Sequence, residues 1–403
     1  MHVLISGASV AGPALAHWLN RFGIETSVVE RARELRPGGQ AIDIRGVAKE
    51  VVRRMGLDSP VRSVCTQTFG ASTVTRNNRR IVSTRSDEFD GDGYIAEIEI
   101  LRGDLSEVFY AATKDTTEYL FGDRIESLHQ HADGLTVRFA GGDERRFDVV
   151  IGADGLHSGV RALAFGPEAQ FVRHLGHYAS FYTVPNVLGL DRWALSYSEP
   201  GRMAGVRAIH DNADLMAFLS FRSGPLDYDH RDVNAQKAIL RERFAGGRWR
   251  IPWLVAQLDA APDFYFDAIA QVQLDRWSDG RVALLGDAAF CPSPLSGQGT
   301  SLAIVGAYVL AGELACRPAD PPAAFGAYER AMRGFVAANQ RIGRLGAERV
   351  TPPTRLGVLR QQLHEFARAR FPLGRPAWVD EFGRAINGIQ LPDYTGFVRP
   401  APE

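Results

Sequence analysis

The chain has 403 residues, a length that indicates one large domain or two closely packed ones. Lysine and arginine number 46 and aspartate and glutamate 47, so the net charge is −1 and nucleic acid is disfavoured as a partner. Hydrophobic residues at 45% and charged residues at 23% are typical of a globular protein and argue against a disordered chain. The three cysteines, Cys65, Cys291 and Cys316, are widely spaced and odd in number, which indicates neither a disulfide framework nor a zinc site.

Two further features bear on cellular location. The N-terminal MHVLISGASVAG has neither the basic region nor the apolar region of a signal peptide. The longest apolar stretch, residues 302–312, is much shorter than the roughly 18 residues needed to cross a bilayer. We therefore expect a soluble, cytoplasmic protein with no membrane partner.

The first 30 residues follow the order strand, tight turn, helix, strand. Residues 2–6 are a short apolar run, residues 13–22 have helical spacing, and residues 26–29 are a second β-rich run that ends at Glu30. Two strands joined in this way within one sheet form a right-handed parallel unit.

The rest of the chain mixes helices with antiparallel strands. A stretch of alternating aromatic and polar residues runs from about 171 to 274 and predicts an antiparallel sheet in a second layer. The tail from Pro392 is rich in proline and is expected to be frayed. The other predicted elements are a helix at 100–112, two or three strands within 125–151, a strand at 281–285, and helices at 299–316, 322–350 and 358–371.

Residues 7–12 (GASVAG) match the dinucleotide-binding fingerprint, with Ser9 in place of the middle glycine. The first glycine makes the tight turn, and the last lets the helix pack on the strand. Glu30 ends the next strand, where a carboxylate accepts hydrogen bonds from an adenosine ribose and repels a 2′-phosphate. This pattern favours FAD or NAD over NADP. The alternative is a tight strand-to-helix turn followed by a surface glutamate.

Two later segments repeat the arrangement of a buried strand followed by a glycine-containing turn. Residues 152–161 (GADGLHSGVR) on their own indicate an ordinary Asp-Gly turn. In residues 286–299 (GDAAFCPSPLSGQG), Asp287 precedes a glycine-rich turn that opens a helix. The carboxylate is able to bind polyol hydroxyls, and the helix N-terminus is able to face a ligand. The alternative is that the segment is an ordinary helix N-cap followed by a loop.

In this order, the three segments resemble those of the group A flavoprotein monooxygenases, the para-hydroxybenzoate hydroxylase-like family, over residues 1 to about 350. The resemblance implies an FAD-dependent, NAD(P)H-consuming monooxygenase that uses dioxygen to hydroxylate a phenolic or polycyclic small molecule through a C4a-hydroperoxyflavin. The opening ISGASVAGPALAHWL looks most like the tetracycline-modifying branch, with aromatic polyketide oxygenases as neighbours. Since one fingerprint serves two nucleotide cofactors, we expect resident FAD and transient NAD(P)H.

The fold class implied is mixed α/β. A Rossmann-like FAD-binding domain, discontinuous over residues 1–170 and 275–350, would carry an inserted antiparallel substrate domain at 171–274. Residues 351–403 would form a C-terminal helical segment and tail. The oligomeric state is not predicted.

The resemblance also implies the cofactor contacts. Arg102 would lie near the pyrophosphate, Asp287 would bind the ribityl chain, and Pro294 with Gly297 would lie beside the isoalloxazine ring. No side chain is nominated as catalytic, because the flavin performs the chemistry, and no metal is expected. The full set of cofactor residues is Gly7, Ser9, Val10, Ala11, Gly12, Glu30, Arg31, Arg102, Asp154, Ser158, Arg161, Gly286, Asp287, Pro294, Gly297, Gly299 and Thr300.

Two residues depart from the family pattern. Phe290 stands where many members have histidine, and Ser301 stands where many have asparagine. Both are expected to alter the surroundings of the ring. The substrate candidates are Phe181, Tyr182, Arg207, Phe218 and Phe221, for which sheet packing or, for Arg207, a salt bridge is the alternative.

Other functions of the same fold stay open. These are a flavin-dependent reductase, a flavin halogenase and a non-catalytic flavin-binding protein. A halogenase would carry a WxWxIP segment, which residues 249–253 (WRIPW) match only superficially.

Overall fold

A computed structural model describes residues 1–36, 38–87, 95–371 and 377–398. Its strands, in chain order, are β1 (His2–Ser6), β2 (Glu25–Glu30), β3 (Ala41–Ile44), β4 (Gly70–Val74), β5 (Arg80–Arg85), β6 (Ile98–Leu101), β7 (Glu118–Phe121), β8 (Ile125–Gln130), β9 (Leu135–Phe139), β10 (Glu144–Phe147), β11 (Val149–Gly152), β12 (Val172–Pro185), β13 (Trp193–Glu199), β14 (Arg202–Ile209), β15 (Asp214–Arg222), β16 (Tyr265–Val272), β17 (Ser278–Asp279) and β18 (Val282–Leu284).

The helices are α1 (Ala11–Arg21), α2 (Val47–Met55), α3 (Asp58–Ser63), α4 (Arg102–Ala111), α5 (Gly159–Ala164), α6 (Val233–Arg243), α7 (Ile251–Gln257), α8 (Asp287–Phe290), α9 (Gly299–Cys316), α10 (Pro321–Arg349), α11 (Arg355–Arg370) and α12 (Ala377–Ile386). The predicted mixed α/β class is confirmed.

The main sheet has six strands in the order β17-β18-β11-β1-β2-β7. Strands β18, β11, β1, β2 and β7 are parallel, and β17 pairs antiparallel at the edge. The three motif segments follow β1, β11 and β18, so they converge at the carboxyl edge of the sheet. Ligands of open parallel sheets bind at this edge.

Helix α9 lies in the centre of the protein. Its residues are apolar on all sides, and most of them are fully buried. By length and composition α9 is able to span a membrane, but 72% of it is buried within the protein. Among the helices that the structure describes, this is the one that passes that test, and its burial is that of a core helix.

The second sheet has seven strands in the order β16-β12-β15-β14-β13-β4-β5. Strands β12 to β16 fall within the predicted substrate segment, residues 171–274. Strands β4 and β5 belong to the same sheet but lie outside these bounds, because β4 pairs in parallel with β13. The second sheet therefore includes two strands from the N-terminal part of the chain.

Alternate side chains of the second sheet point to opposite faces. One face packs beneath α6 and α7 and forms a separate core with Leu240 and Leu254. The other face is turned toward β3 and β6, where Ala41 N donates a hydrogen bond to Met216 Sδ at 3.2 Å. Strands β3 and β6 therefore pack against this second face.

The tail from Pro392, predicted to be frayed, is anchored at Tyr394, and residues 399–403 lie outside the described part of the chain. Tyr394 is 4% exposed, and its ring lies 5.2 Å from that of Tyr308. Its hydroxyl donates to Glu313 at 2.8 Å. A Cβ atom on Gly312 would lie 2.2 Å from the Tyr394 ring, so this glycine on α9 leaves room for it.

Candidate active site

The loop after β1 has no room for side chains at its two outer glycines. Gly7 has φ of +109°, and a Cβ atom there would lie 2.5 Å from the carbonyl oxygen of Ala153. A Cβ atom on Gly12 would lie 1.9 Å from the carbonyl oxygen of Gly7. Both glycines are therefore required for the loop to pass between β1 and the turn after β11.

Glu30 at the end of β2 faces this loop. Its Oε2 accepts a hydrogen bond from Ala8 N at 2.9 Å, and its Oε1 accepts one from Ala32 N at 2.9 Å. The carboxylate is thus held beside the backbone of the glycine loop, as a ribose-binding acid requires. Arg31, the next residue, is exposed.

Ser9, the departure from the fingerprint, contacts the half-buried Arg102. Arg102 Nη1 donates to Ser9 Oγ at 3.3 Å, and Ser106 Oγ lies 3.5 Å from the same serine oxygen. Burial lowers the pKa of Arg102, although Tyr265 and other neighbours oppose this. Within the described ranges, the buried Arg102 Nε has no hydrogen-bond partner. A cation with a spare donor beside the glycine loop suits a phosphate anion.

The second motif forms a closed hydrogen-bond network. Asp154 accepts hydrogen bonds from Val160 N at 3.1 Å and from the Ser158 hydroxyl, and burial raises its pKa. Arg161 is fully buried and donates to the carbonyl oxygens of Ala288 at 3.0 Å and Leu156 at 2.6 Å. Arg161 therefore lies behind the site and ties α5 to the segment that carries Asp287.

In the third motif, the side chain of Asp287 lies at the start of α9. A Cβ atom on Gly299 would be 3.6 Å from Asp287 Oδ1. Burial raises the pKa of Asp287, against hydrogen bonding from the Cys291 thiol and the charge of Arg102. Gly286, with φ of +64°, lets this turn approach α1 and α9, because its Cβ would be 3.3 Å from that of Ala11. The carboxylate is thus near both Arg102 and a helix N-terminus.

The loop before α9 is tightly shaped. Pro294 is exposed and opens a short 3-10 helix, Pro294–Ser296. Ser293 before it has φ of +83°, and its hydroxyl accepts from Leu295 N at 3.2 Å. Gly297 ends the turn with φ of +63°. Thr300 is half-buried in the first turn of α9, and Val10 is buried at the start of α1.

Both residues that depart from the family pattern are buried. Phe290 is 1% exposed and packs on Trp277, with ring centroids 4.7 Å apart. The expectation that Phe290 alters the surroundings of the ring is therefore not supported by its position in the core. Ser301 accepts a hydrogen bond from Arg45 N at 3.1 Å and so joins α9 to the end of β3.

The predicted substrate residues divide between the two faces of the second sheet. Phe181, Phe218 and Arg207 are on the face turned toward β3 and β6; Phe181 packs on a small cluster there, and Arg207 pairs with Glu99 of β6. Tyr182 and Phe221 are on the opposite face, inside the core under α6 and α7. For these two residues the structure shows the sheet packing that the sequence left as the alternative.

Sequence reasoning missed a charged cluster between the domains. Glu99 accepts hydrogen bonds from the hydroxyls of Thr66 at 2.6 Å and Thr68 at 2.7 Å, and it pairs with Arg207. The salt bridge considered as the alternative for Arg207 is thus present. Asp43 pairs with Arg45 at 3.0 Å. The signal in the sequence was the charge within each of two short isoleucine-rich strands, AIDIR and IEIL.

His157, in the second motif, bridges the two domains. Its Nδ1 lies 2.9 Å from Glu168 Oε1, and its Nε2 lies 3.0 Å from Asp267 Oδ2 on β16. Burial lowers the pKa of His157, but the hydrogen bonds with Asp267 and Glu168 outweigh this and raise it to about 9. The imidazolium therefore joins the FAD-domain segment to the substrate sheet at neutral pH.

We expect this bridge to make stability depend on pH. Because the folded pKa of His157, about 9, exceeds the unfolded value of 6.5, its contribution is complete below 6.5 and is lost as pH rises through 9. The contribution is on the order of 2–3 kcal/mol. Calorimetry of His157→Gln should show a lower Tm at neutral pH and a weaker fall on alkalinisation than wild type. His131→Gln, an exposed histidine, is the control, and equal alkaline slopes for wild type and His157→Gln would contradict the assignment.

The residues at the carboxyl edge fit FAD. Arg102 offers a buried donor for the pyrophosphate, the two glycines hold the backbone where a Cβ has no room, and Glu30 lies beside the same loop. Asp287 and the start of α9 continue the site toward the second sheet. The site therefore extends from the first βα turn to the boundary between the domains.

This arrangement defines a flavoprotein with a Rossmann-like nucleotide domain and a substrate sheet. The chain belongs to the FAD binding domain family, whose profile matches residues 1–333. It is 44% identical over 393 residues to an uncharacterized protein of Mycobacterium tuberculosis, covering 97% of this chain and 99% of that protein.

Two further matches carry functional names. A flavin-dependent monooxygenase of Legionella longbeachae is 39% identical over 341 residues, 85% of this chain and 87% of that protein. The crystal structure of tetracycline destructase Tet(55) has a TM-score of 0.83 and 35% identity, covering 97% of this chain and 98% of that one. The predicted resemblance to flavoprotein monooxygenases is confirmed, and the protein is an FAD-dependent monooxygenase.

Proposed function

We propose that this monooxygenase consumes NAD(P)H and dioxygen to hydroxylate a phenolic or polycyclic substrate of the polyketide or tetracycline kind. The observation that carries the proposal is the link from the third motif to the second sheet. A Cβ atom on Gly297 would lie 3.5 Å from Asp43 Oδ2 on β3, and β3 contacts the sheet face that carries Phe181, Met216 and Arg207. The similarity to tetracycline destructase Tet(55) supports the substrate class.

The chain's own residues would hold the cofactor along the carboxyl edge. The glycine loop and Arg102 would bind the pyrophosphate, Glu30 the adenosine ribose and Asp287 the ribityl chain. The turn at Pro294 and Gly297 would lie beside the isoalloxazine ring. When bound, FAD accepts hydride and activates dioxygen.

NAD(P)H would dock transiently, because the sequence has a single dinucleotide fingerprint and FAD would occupy it. Glu30 would then have no influence on the choice between NADH and NADPH. We further propose a cytoplasmic enzyme, consistent with the burial of α9 within the fold.

The substrate would lie between the domains. Phe181, Met216 and Ile209 give an apolar floor, and Arg207 on the same face offers a cation for an acidic hydroxyl. Polycyclic phenols and enols combine these two properties, since they are flat and apolar and carry an ionisable oxygen. The sheet face thus suits this class better than a small polar acid.

A halogenase is disfavoured by the position of the WRIPW segment. Trp249 and Trp253 pack against the core under α6 and α7, on the far face of the second sheet. Ile251 in the same segment is 1% exposed and opens α7. A halogenase would need this segment between flavin and substrate.

The proposal is tested by NAD(P)H oxidation with a panel of compounds. Tetracycline, hydroxyanthraquinones and simple phenols are each added to the FAD-loaded enzyme with NADH or NADPH. We expect at least one polycyclic phenol to accelerate oxidation and to give a product heavier by one oxygen atom. Stimulation without any oxygenated product would favour a reductase instead.

The Pro294 turn should control how well oxidation is coupled to hydroxylation. Proline presets φ at the start of the 3-10 helix, and Pro294→Gly adds conformational freedom worth about 0.4–1 kcal/mol. We expect this variant to retain FAD, to oxidise NAD(P)H, and to release a larger share of hydrogen peroxide per turnover. Peroxide is measured against NAD(P)H consumed at saturating substrate. Pro352→Gly is the control, and an unchanged ratio in Pro294→Gly would contradict a role beside the ring.

A further inference from the structure

Two carboxylates face each other across the small sheet between the domains. Asp43 on β3 and Glu99 on β6 are register partners in the antiparallel pair, so their side chains lie on one face. Like charges directly opposite each other destabilise a sheet unless they are compensated. Here Arg45 pairs with Asp43 at 3.0 Å, and Arg207 pairs with Glu99. The result is a cluster of alternating charges that we call the interdomain charge cluster: Asp43, Arg45, Glu99 and Arg207.

The four members differ in accessibility. The side chains of Arg45 and Glu99 are 4% and 5% exposed, whereas those of Asp43 and Arg207 are 19% and 20% exposed. Glu99 is further fixed by the hydroxyls of Thr66 and Thr68, which donate to its Oε1. One anion and one cation therefore have surface available to a ligand, and each is held by a buried partner of opposite charge.

The accessible carboxylate lies beside the third motif. A Cβ atom built on Gly297 would be 3.5 Å from Asp43 Oδ2. The end of β3 is fixed to α9 by the hydrogen bond from Arg45 N to Ser301 Oγ at 3.1 Å. The start of β3 is fixed to the second sheet by the contact of Ala41 with Met216. Asp43 thus lies between the proposed ring position and the proposed substrate face.

The charges around Asp43 are suited to proton exchange. Burial raises its pKa, the charge of Arg45 opposes this, Glu99 raises it again, and Arg207 lowers it. A general base works best when its pKa approaches the working pH, because it then accepts a proton readily and is still largely ionised. An ordinary surface aspartate lacks this property.

We propose that Asp43 is the general base that accepts the hydroxyl proton of an enolic or phenolic substrate, and that Arg207 pairs with the resulting oxyanion. This inference rests on the proposed substrate class. In the step, the substrate O–H bond breaks, its electron pair stays on the substrate oxygen, and the proton forms an O–H bond with the Asp43 carboxylate. The enolate or phenolate so formed has an electron-rich carbon, as hydroxylation requires. Glu99 and Arg45 are positioning residues.

The test uses alizarin, a hydroxyanthraquinone whose visible spectrum changes on ionisation. The dye is mixed with the FAD-loaded protein at a pH below its own ionisation, and difference spectra are recorded. We expect wild type to bind alizarin as the anion, and Asp43→Asn and Asp43→Ser to bind it as the neutral phenol. Asp191→Asn, which removes an exposed carboxylate, should behave as wild type. FAD content and thermal melting of each variant establish that it is folded.

Turnover gives a second readout. With an accepted substrate, Asp43→Asn should lower kcat/KM by about 100-fold or more and abolish the acidic limb of its pH profile. Neutral dye on wild type, or anionic dye on both Asp43 variants, would overturn the proposal. If wild type ionises alizarin but oxygenates no phenol or enol, the proposed function fails while the role of Asp43 as a base stands.

Discussion

Arg102→Met should remove FAD from the purified protein while leaving the apoprotein folded. The half-buried side chain lies against the glycine loop, and its buried Nε has no hydrogen-bond partner among the described residues, so the phosphate would complete its hydrogen bonding. Hydrogen bonds to a charged group contribute roughly 1.5–3 kcal/mol each. Loss of two of them predicts an affinity for FAD at least about 100-fold weaker. Fluorescence titration of the apoprotein with FAD measures this directly.

The melting temperature of Arg102→Met separates an effect on FAD binding from an effect on folding. Burial lowers the pKa of Arg102, which means that the folded apoprotein bears the cost of a desolvated cation. Arg102→Met should therefore melt at the same temperature as wild-type apoprotein or higher. Arg330→Met, at an exposed position on α10, is the matched control and should keep FAD. Normal FAD affinity in Arg102→Met would show that the pyrophosphate lies elsewhere.

Asp287→Ala should also weaken the binding of FAD. The carboxylate lies at the start of α9, and burial raises its pKa because the ionised form has lost hydrating water. Hydroxyl groups of the ligand would donate hydrogen bonds in place of that water. Removing one or two hydrogen bonds to a charged acceptor predicts an FAD affinity at least about tenfold weaker. Retained flavin absorbance after gel filtration provides the first readout, and the titration described for Arg102 gives the constant.

Asp275→Ala is the comparison for this experiment, because Asp275 is an exposed aspartate close in sequence, in the connection between β16 and β17. It should retain FAD. Tight FAD binding by Asp287→Ala would contradict a ribityl contact and would leave Asp287 as an N-terminal residue of α8 with a local role.

The sequence predicts best what neighbouring residues determine. Gly7, Gly12 and Glu30 act within one strand–turn–helix–strand unit, and the structure has that unit as predicted. The bounds of α9 are also as predicted, because its apolar residues and the glycines before it are contiguous in the sequence. In each case a local steric or hydrophobic pattern is sufficient.

The sequence predicts least where distant residues come together. Nothing in residues 70–85 indicates that they complete the sheet formed by residues 172–272, because strand pairing between β4 and β13 spans more than a hundred residues. Alternation places Phe181 and Tyr182 on opposite faces, but the helices that cover one face decide which of them is buried. The opposition of Asp43 and Glu99 likewise depends on register between two separate strands.

A monooxygenase transfers one atom of dioxygen to its organic substrate. The most direct test supplies heavy-isotope dioxygen to the FAD-loaded enzyme with NAD(P)H and the polycyclic phenol that most stimulates its oxidation. We expect a product that contains one heavy oxygen atom, with the second appearing in water. Heavy oxygen found only in hydrogen peroxide, or a product oxygen derived from solvent, would contradict it.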